Sequence, residues 1–173
     1  MSDISIRLAT SKDAEIIADL SRQTFYETFA LQNTTSDMEK FLNEQFTREK
    51  LIAEVSEPWL IFFLAFMDDE AVGYVKLKDG IVPSELIGQS CMEIARIYSV
   101  QNMIGKGVGK KLMQASLNVA EQRKKQTLWL AVWKDNQRAI DFYERWGFKI
   151  FGEQDFLLGD DLQKDWLMKK AIG

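Results

Sequence analysis

The chain contains no histidine, a single cysteine and two prolines, and its acidic residues outnumber its basic ones. Without histidine, Ser-His-Asp and Cys-His nucleophile systems and the usual zinc enzymes lack their central residue. The one cysteine, Cys91, cannot form a disulfide within the chain, and no histidine can activate it, so we interpret it as structural. A formal net charge of −4 argues against a nucleic-acid-binding face, which needs clustered positive charge, and suits a cationic small molecule.

Long hydrophobic runs are absent as well. The longest, residues 59–67, is too short to cross a bilayer as a helix, and the first ten residues lack the basic and apolar segments of a signal peptide. A chain of 173 residues with 46% hydrophobic and 28% charged residues is typical of one globular domain. We therefore expect a single domain over residues 1–173, cytoplasmic and without contact to a membrane or to nucleic acid.

Hydrophobic periodicity predicts a chain in which strands and helices are mixed. Strands are expected at residues 4–8, 59–66, 71–78, 92–99, 127–133, 148–152, 155–158 and 165–169. Helices are expected at residues 11–29, 36–42, 47–55, 105–123 and 136–146, the second opening with a capping box formed by Ser36 and Glu39. This order indicates an α/β fold with one central sheet, mixed but mainly antiparallel, flanked by helices.

A glycine-rich turn lies directly between a predicted strand and a predicted helix, with the sequence Gly105-Lys106-Gly107-Val108-Gly109-Lys110. Glycines there let the backbone approach a ligand, and the free amides at the helix start can bind an anion such as a phosphate. A P-loop is excluded because Ile104 stands where its first glycine belongs. The dinucleotide fingerprint is excluded because Lys110 replaces its third glycine. A turn without any ligand is the alternative.

Two segments resemble the motifs of the GNAT acetyltransferase superfamily. Residues 92–99 and 104–110 are similar to its acetyl-CoA motif, Gln/Arg-x-x-Gly-x-Gly/Ala, with Gly107 and Gly109 at the glycines and Ile104 in place of Gln or Arg. Residues 136–148 match the segment N-x-x-A-I-x-F-Y-x-x-x-G-F at every fixed position. Further stretches, at residues 24–29, 71–76 and 158–160, resemble the bacterial spermidine/spermine N-acetyltransferases of the Pai type.

This resemblance implies the GNAT fold, acetyl-CoA as cosubstrate, no metal, and direct transfer of an acetyl group to a small amine within a ternary complex. A polyamine is the first candidate for that amine. The resemblance also implies which residues contact CoA: Ile97, Tyr98, Ser99, Gly105, Lys106, Gly107, Val108, Gly109, Lys110, Asn136 and Tyr143. For Asn136, capping of the helix that it opens is a competing role.

Two residues are candidates for catalysis. Tyr143 is the candidate general acid, because a phenol with a pKa near 10 can share a proton with a departing thiol; a place in the aromatic core is the alternative. Glu93 is the candidate base, eleven residues before Ile104, and strict alternation would place it on the same face as Ala95 and Ile97. A structural ion pair, or binding of the cationic substrate only, is the alternative for Glu93.

Acceptor contacts are less well specified by the sequence. Tyr26, Glu27, Glu93 and Trp133 are candidates, through charge or cation–π interactions with an ammonium group. Acetylation of a protein, a peptide or another small amine stays open, as does an acyl-CoA-binding sensor without turnover. The sequence also leaves the oligomeric state open, a homodimer included.

Overall fold

The computed structural model describes residues 3–80 and 82–173 and contains one seven-stranded sheet. The strands are β1 (Ile4–Leu8), β2 (Leu60–Met67), β3 (Glu70–Lys78), β4 (Cys91–Ser99), β5 (Thr127–Trp133), β6 (Lys149–Leu158) and β7 (Asp161–Ala171). The helices are α1 (Ala14–Phe29), α2 (Thr35–Lys40), α3 (Arg48–Glu54), α4 (Val108–Gln122) and α5 (Gln137–Arg145). A π-helical segment, Phe41–Gln45, continues α2, and short 3₁₀ turns lie at Ser11–Asp13, Ala30–Gln32, Ser84–Leu86 and Gln101–Met103.

The strands follow one another in the sheet in the order β1-β2-β3-β4-β5-β7-β6. All neighbours are antiparallel except β4 and β5, which are parallel and are joined by the crossover helix α4. The predicted α/β architecture, with a mixed but mainly antiparallel sheet flanked by helices, is therefore confirmed. None of the helices in the described residues is long and apolar enough to span a bilayer.

The parallel pair separates halfway along its length. Pairing between β4 and β5 runs from Cys91 opposite Thr127 to Ile94 opposite Leu130 and then stops, although both strands continue. Beyond that point β4 is paired only with β3, and β5 only with β7. The two facing edges therefore carry backbone amides and carbonyls that the sheet itself leaves unpaired.

A β-bulge interrupts β4 at the same level. Leu77 of β3 lies opposite Ile94, and the next residue, Lys76, lies opposite Arg96, so Ala95 has no partner on β3. The extra residue reverses the alternation, and Glu93 shares the face of Arg96 rather than that of Ile97. The predicted face of Glu93 is therefore wrong.

The two faces of the sheet are covered by different helices. On one face α4 packs, through buried residues such as Leu112, over a cluster that includes Leu77 and Ile94; on the other α1 packs over a cluster that includes Leu64 and Tyr74. The approach of α4 needs a glycine, because a Cβ on Gly73 would lie 2.6 Å from Val108 Cγ1. This close contact fixes the start of α4 against the sheet.

Several predicted boundaries differ from the structure; the strand predicted at 165–169, for example, runs from Asp161 to Ala171 as β7. The predicted capping box is wrong: α2 begins at Thr35, and the hydroxyl of Thr34 accepts the Asp37 amide at 3.1 Å. The strands predicted at 148–152 and 155–158 form the single strand β6, which absorbs a bulge between Ile150 and Gly152. Between the strands predicted at 71–78 and 92–99 the structure has a short 3₁₀ turn, Ser84–Leu86, and residue 81 in this stretch lies outside the described residues.

Candidate active site

A cavity of about 660 Å³ lies where β4 and β5 separate, and it reaches both faces of the sheet through that gap. On the face of α4 and α5, a glycine end is lined by Ile104, Gly105, Gly107, Gly109, Lys110, Asn136, Arg138, Ala139 and Tyr143. On the face of α1, an aromatic end is lined by Phe25, Phe29, Phe41, Phe46, Trp133 and Phe156, together with the carboxylates of Glu54, Glu93 and Asp165.

The backbone of the glycine end is arranged for an anion. Gly105 and Gly107 have φ angles of +82° and +95°, which only glycine adopts without strain, and a Cβ at either position would meet nothing within 4 Å. The amides of the first turn of α4 have no acceptor within the helix and carry its positive dipole end. The side chains of Lys110 and Arg138 add positive charge to this end of the cavity.

The structure divides the residues of the predicted glycine turn. Gly105, Gly107, Gly109 and Lys110 line the cavity, whereas Lys106 is exposed and Val108 is buried in the core against Gly73. Val108 can therefore offer a ligand only its backbone, whereas the exposed side chain of Lys106 lies outside the cavity wall. All three predicted β4 positions, Ile97, Tyr98 and Ser99, line the cavity.

Asn136 caps α5 and lines the cavity at the same time. Its Oδ1 accepts the amide of Ala139 at 3.4 Å, as expected of an N-cap asparagine. The Nδ2 group is not used in this bond and can donate to a ligand. The two roles considered for Asn136 are therefore compatible.

Tyr143 lies in the core but reaches the cavity. Its side chain is 8% exposed, and its ring packs edge to face with Phe142 at 5.5 Å and Phe148 at 5.9 Å between centroids. Burial raises the pKa of the Tyr143 hydroxyl above its ordinary value, so the phenol keeps its proton at neutral pH. A protonated donor therefore lines the glycine end.

Glu93 lines the other side of the gap. Its side chain is 17% exposed, and the nearest cation, Lys78 Nζ, is 4.0 Å away. Burial raises the pKa of Glu93, and the charges of Lys78 and Lys76 only partly oppose this shift. A carboxylate with a raised pKa is a better proton acceptor near neutrality than an ordinary glutamate.

An ion-pair network that the sequence did not indicate lies beside Glu93. Glu54, the last residue of α3, accepts Lys76 Nζ at 2.8 Å and also pairs with the Arg96 guanidinium. Arg96 is 11% exposed and stacks over the ring of Phe46 at 5.0 Å from its centroid. Burial, together with the charge of Arg96, lowers the pKa of Lys76. No sequence signal links these residues, because the contacts join three separate elements.

Aromatic rings and a further acid complete the aromatic end. Phe25 stacks on Phe41 at 4.5 Å, and Phe29 meets Trp133 edge to face at 6.0 Å between ring centroids. Asp165 of β7 lies directly opposite Trp133, is 8% exposed and was missed by the sequence reasoning. Its only signal was an acidic residue directly before the short hydrophobic run Trp166-Leu167-Met168.

Three residues considered from the sequence lie elsewhere. Tyr26 is 55% exposed and is not part of the cavity wall. Glu27 accepts the amide of Gln101 at 3.1 Å and so connects α1 to the turn after β4, also outside the cavity wall. Cys91 is buried away from the cavity. Of the predicted acceptor contacts, the structure brings Glu93 and Trp133 together in one cavity and leaves Tyr26 and Glu27 out.

Comparison with known proteins gives a consistent set of similarities. Residues 21–148 match the acetyltransferase (GNAT) family. An uncharacterised N-acetyltransferase of Lactobacillus delbrueckii subsp. lactis is 36% identical over 172 residues, covering 99% of each chain. A spermidine N(1)-acetyltransferase of Thermoplasma acidophilum is 25% identical over 151 residues, covering 85% of this chain and 89% of that protein.

Solved structures share the fold. The crystal structure of a PaiA N-acetyltransferase from Thermoplasma acidophilum, in complex with coenzyme A, superposes with a TM-score of 0.78 at 24% identity. The match covers 98% of this chain and 99% of that one. At this identity the similarity shows the fold alone.

Proposed function

Because this chain belongs to the acetyltransferase (GNAT) family, we propose that it transfers the acetyl group of acetyl-CoA directly to a polyamine such as spermidine, with both substrates bound at once. Membership of the family makes the chain an N-acetyltransferase; the polyamine and the ternary complex are the proposal. The observation that carries it is the gap between β4 and β5, which joins the glycine end and the aromatic end in one cavity.

The glycine end fits the donor. Free amides at the start of α4, the open space at Gly105 and Gly107, and the charges of Lys110 and Arg138 suit a pyrophosphate. The unpaired edge of β4 can pair with the amides of a pantetheine arm as an added strand would. Bound acetyl-CoA supplies the activated acetyl thioester.

The residues beside the gap supply the proton transfers. Glu93 accepts a proton from the acceptor ammonium, directly or through water, which leaves a neutral amine to attack the carbonyl carbon. A backbone amide of β4 stabilises the oxyanion as the new C–N bond forms. Tyr143 donates its hydroxyl hydrogen to the sulfur as the C–S bond breaks, since burial keeps the hydroxyl protonated. The second proton, which the nitrogen loses as it becomes an amide, returns to the Tyr143 oxygen, directly or through water.

Several features of the aromatic end favour a polyamine acceptor. Three carboxylates line the cavity, and those of Glu93 and Asp165, which are not held in a close ion pair as Glu54 is, can attract cations. The rings of Phe29 and Trp133 provide faces for ammonium groups and methylene chains. The spermidine N(1)-acetyltransferase of Thermoplasma acidophilum, although only 25% identical, supports the same substrate class. The net charge of −4 also suits a cationic acceptor.

A thiol-release assay with a panel of amines tests this proposal. Spermidine and spermine are expected to give kcat/KM values at least tenfold above those of lysine peptides and free peptide N-termini. Equal or higher values for the peptides would instead indicate a protein acetyltransferase. Binding of acetyl-CoA without turnover of any amine would indicate an acyl-CoA sensor.

A further inference from the structure

We propose that Asp165 binds a second ammonium group of the acceptor and so makes the enzyme selective for amines that carry two or more positive charges. The inference rests on the proposed function, because it assigns a specificity-determining residue within the same cavity. It starts from the distribution of charge in the cavity, where Lys76, Lys78 and Arg96 pair with Glu54 and Glu93 and leave Asp165 without a cationic partner among the described residues.

The three carboxylates of the cavity differ in their cationic partners. Glu54 pairs with both Lys76 and Arg96, and Glu93 lies 4.0 Å from Lys78. Asp165 has no lysine or arginine within 4.0 Å among the residues that the structure describes, although it is 8% exposed. A buried carboxylate without a cation is costly to the folded state, so its presence in a cavity points to a positively charged ligand.

Two cations next to Asp165 in the sheet, Lys164 and Lys134, are held on the opposite face of the hairpin. Lys164 precedes Asp165 and therefore projects outward, where it pairs with Asp155 of β6. Lys134 pairs with Glu153 and lies over the Trp166 ring, 3.9 Å from its centroid. These cations on the outer face are thus already paired, while Asp165 on the inner face has no cationic partner among the described residues.

The neighbours inside the cavity leave Asp165 available. The Gln163 amide already donates to Asn33 at 2.6 Å and to Asp161 at 3.0 Å. Burial raises the pKa of Asp165, and the Gln154 amide offsets only part of that shift. An incoming ammonium would stabilise the ionised carboxylate and would also lie near Trp133, which is directly opposite on β5.

The register places Asp165 away from the candidate base. Glu93 lies opposite Trp129 of β5, whereas Asp165 lies opposite Trp133, four residues further along the same strand. At the rise of an extended chain these two levels are about 13 Å apart. One amino group can therefore react near Glu93 while a second, several bonds away on the same molecule, binds at Asp165. A monoamine cannot occupy both positions.

Asp165→Asn tests this role, because the amide keeps the shape of the side chain and removes its charge. We expect KM for spermidine to rise at least tenfold, with KM for acetyl-CoA unchanged and KM for butylamine within twofold of the wild type. Asp155→Asn, on the outer face of the same hairpin, is the matched control and should leave all three values unchanged. Asp165→Glu, which keeps the charge, should restore part of the spermidine affinity.

Thermal stability gives a second readout. If Asp165 only stabilised the fold, its replacement by Asn would lower the Tm, whereas the binding role predicts the opposite. Without polyamine, Asp165→Asn should melt at the same temperature as the wild type or higher, because it removes an uncompensated buried charge. Spermidine should raise the Tm of the wild type and of Asp155→Asn, but not that of Asp165→Asn. A lower Tm for Asp165→Asn alone, or equal losses on spermidine and butylamine, would overturn the proposal.

The outcomes separate this inference from the proposed function. If the wild type acetylates spermidine and Asp165→Asn does so with an unchanged KM, only the role of Asp165 is wrong. If the wild type does not acetylate spermidine but is stabilised by it through Asp165, polyamine acetylation is wrong and the binding role stands. If spermidine neither reacts nor stabilises, both are overturned.

Discussion

Glu93 and Arg96 project from the same face of β4, although three positions along the strand would normally place them on opposite faces. The β-bulge at Ala95 causes this shared orientation. The bulge lies just beyond Ile94, the residue at which the pairing of β4 with β5 ends. Without the extra residue, one of the two charged side chains would face the hydrophobic core under α4. One local irregularity therefore brings the candidate base and the Arg96–Glu54 pair to the same side of the cavity.

Glu93→Gln tests the role of the candidate base. If Glu93 accepts the ammonium proton, the substitution should lower kcat/KM for the amine at least tenfold, with acetyl-CoA affinity unchanged. Because the pKa of Glu93 is raised, wild-type activity should fall as the pH drops through that raised value. The variant should lack this limb of the pH–rate profile and keep only the dependence that comes from the amine itself.

Glu70→Gln is a matched control, since Glu70 is an exposed acid at the start of β3 and lies outside the cavity wall. Its pH–rate profile should be that of the wild type. An unchanged rate and an unchanged profile for Glu93→Gln would leave Glu93 as an ion-pair partner of Lys78 only.

Glu54→Gln should destabilise the fold, because it leaves the buried cations Lys76 and Arg96 without their shared carboxylate. Breaking one partner of a buried ion pair typically costs about 3 kcal/mol of unfolding free energy. Lys76, whose pKa is already lowered, can escape part of this cost by losing its proton, so the loss should be smaller near pH 10 than at pH 7. Urea denaturation at both pH values measures the difference.

For comparison, Glu57→Gln removes a nearby acid that forms no ion pair within the described residues, and it should change the unfolding free energy by less than about 0.5 kcal/mol. Equal, small effects of Glu54→Gln and Glu57→Gln would show that the network contributes no net stability.

Gly107→Glu tests the donor site. The new carboxylate would project into the open space at the start of α4, where a phosphate is expected, and would repel it. Gly88→Glu is the matched control, because Gly88 has a φ of +91°, close to the +95° of Gly107, and equally open surroundings far from the cavity. Both variants carry the same backbone strain, so both should melt earlier than the wild type.

Acetyl-CoA should raise the Tm of the wild type and of Gly88→Glu, but not that of Gly107→Glu. An equal rise in the Tm of both variants would show that acetyl-CoA binds elsewhere on the protein.

The sequence could predict those parts of the site in which the functional residues are contiguous. Two such parts are the turn from Gly105 to Lys110 and the segment from Asn136 to Phe148. In each, the residues that shape the backbone and the residues that line the cavity are close together in the sequence, so the motif can be recognised from their spacing. The hydrophobic periodicity likewise located every strand, because most of the strands have a buried face and β1 has a partly buried one.

The parts that the sequence could not predict depend on contacts between distant elements. The bulge at Ala95 is defined by its pairing with β3, and the partners of Glu54 come from two different strands. Asp165 becomes part of the cavity only because β7 lies beside β5. At the start of α2, Thr34 and Ser36 are both good capping residues, and local chemistry alone does not decide between them.

Tyr143→Phe tests the general acid. The phenyl ring preserves the edge-to-face packing with Phe142 and Phe148, so the fold and the affinity for acetyl-CoA should be retained. The hydroxyl contributes only if it donates to the sulfur as the thiolate leaves, an interaction that strengthens in the transition state. We therefore expect kcat to fall by about 10²–10⁴-fold with little change in KM.

The raised pKa of Tyr143 agrees with this role rather than opposing it. A phenol that keeps its proton is a hydrogen-bond donor at every working pH, and the burial that raises its pKa would also raise the proton affinity of a thiolate formed beside it. Tyr74→Phe is the matched control, because Tyr74 is a fully buried tyrosine outside the cavity wall whose hydroxyl has no partner in the described part of the chain. Loss of the Tyr74 hydroxyl should leave kcat unchanged and should not lower the free energy of unfolding. If Tyr143→Phe turned over within about threefold of the wild type while chemistry limits the rate, water would be the proton donor, and Tyr143 would be a core residue that merely borders the cavity.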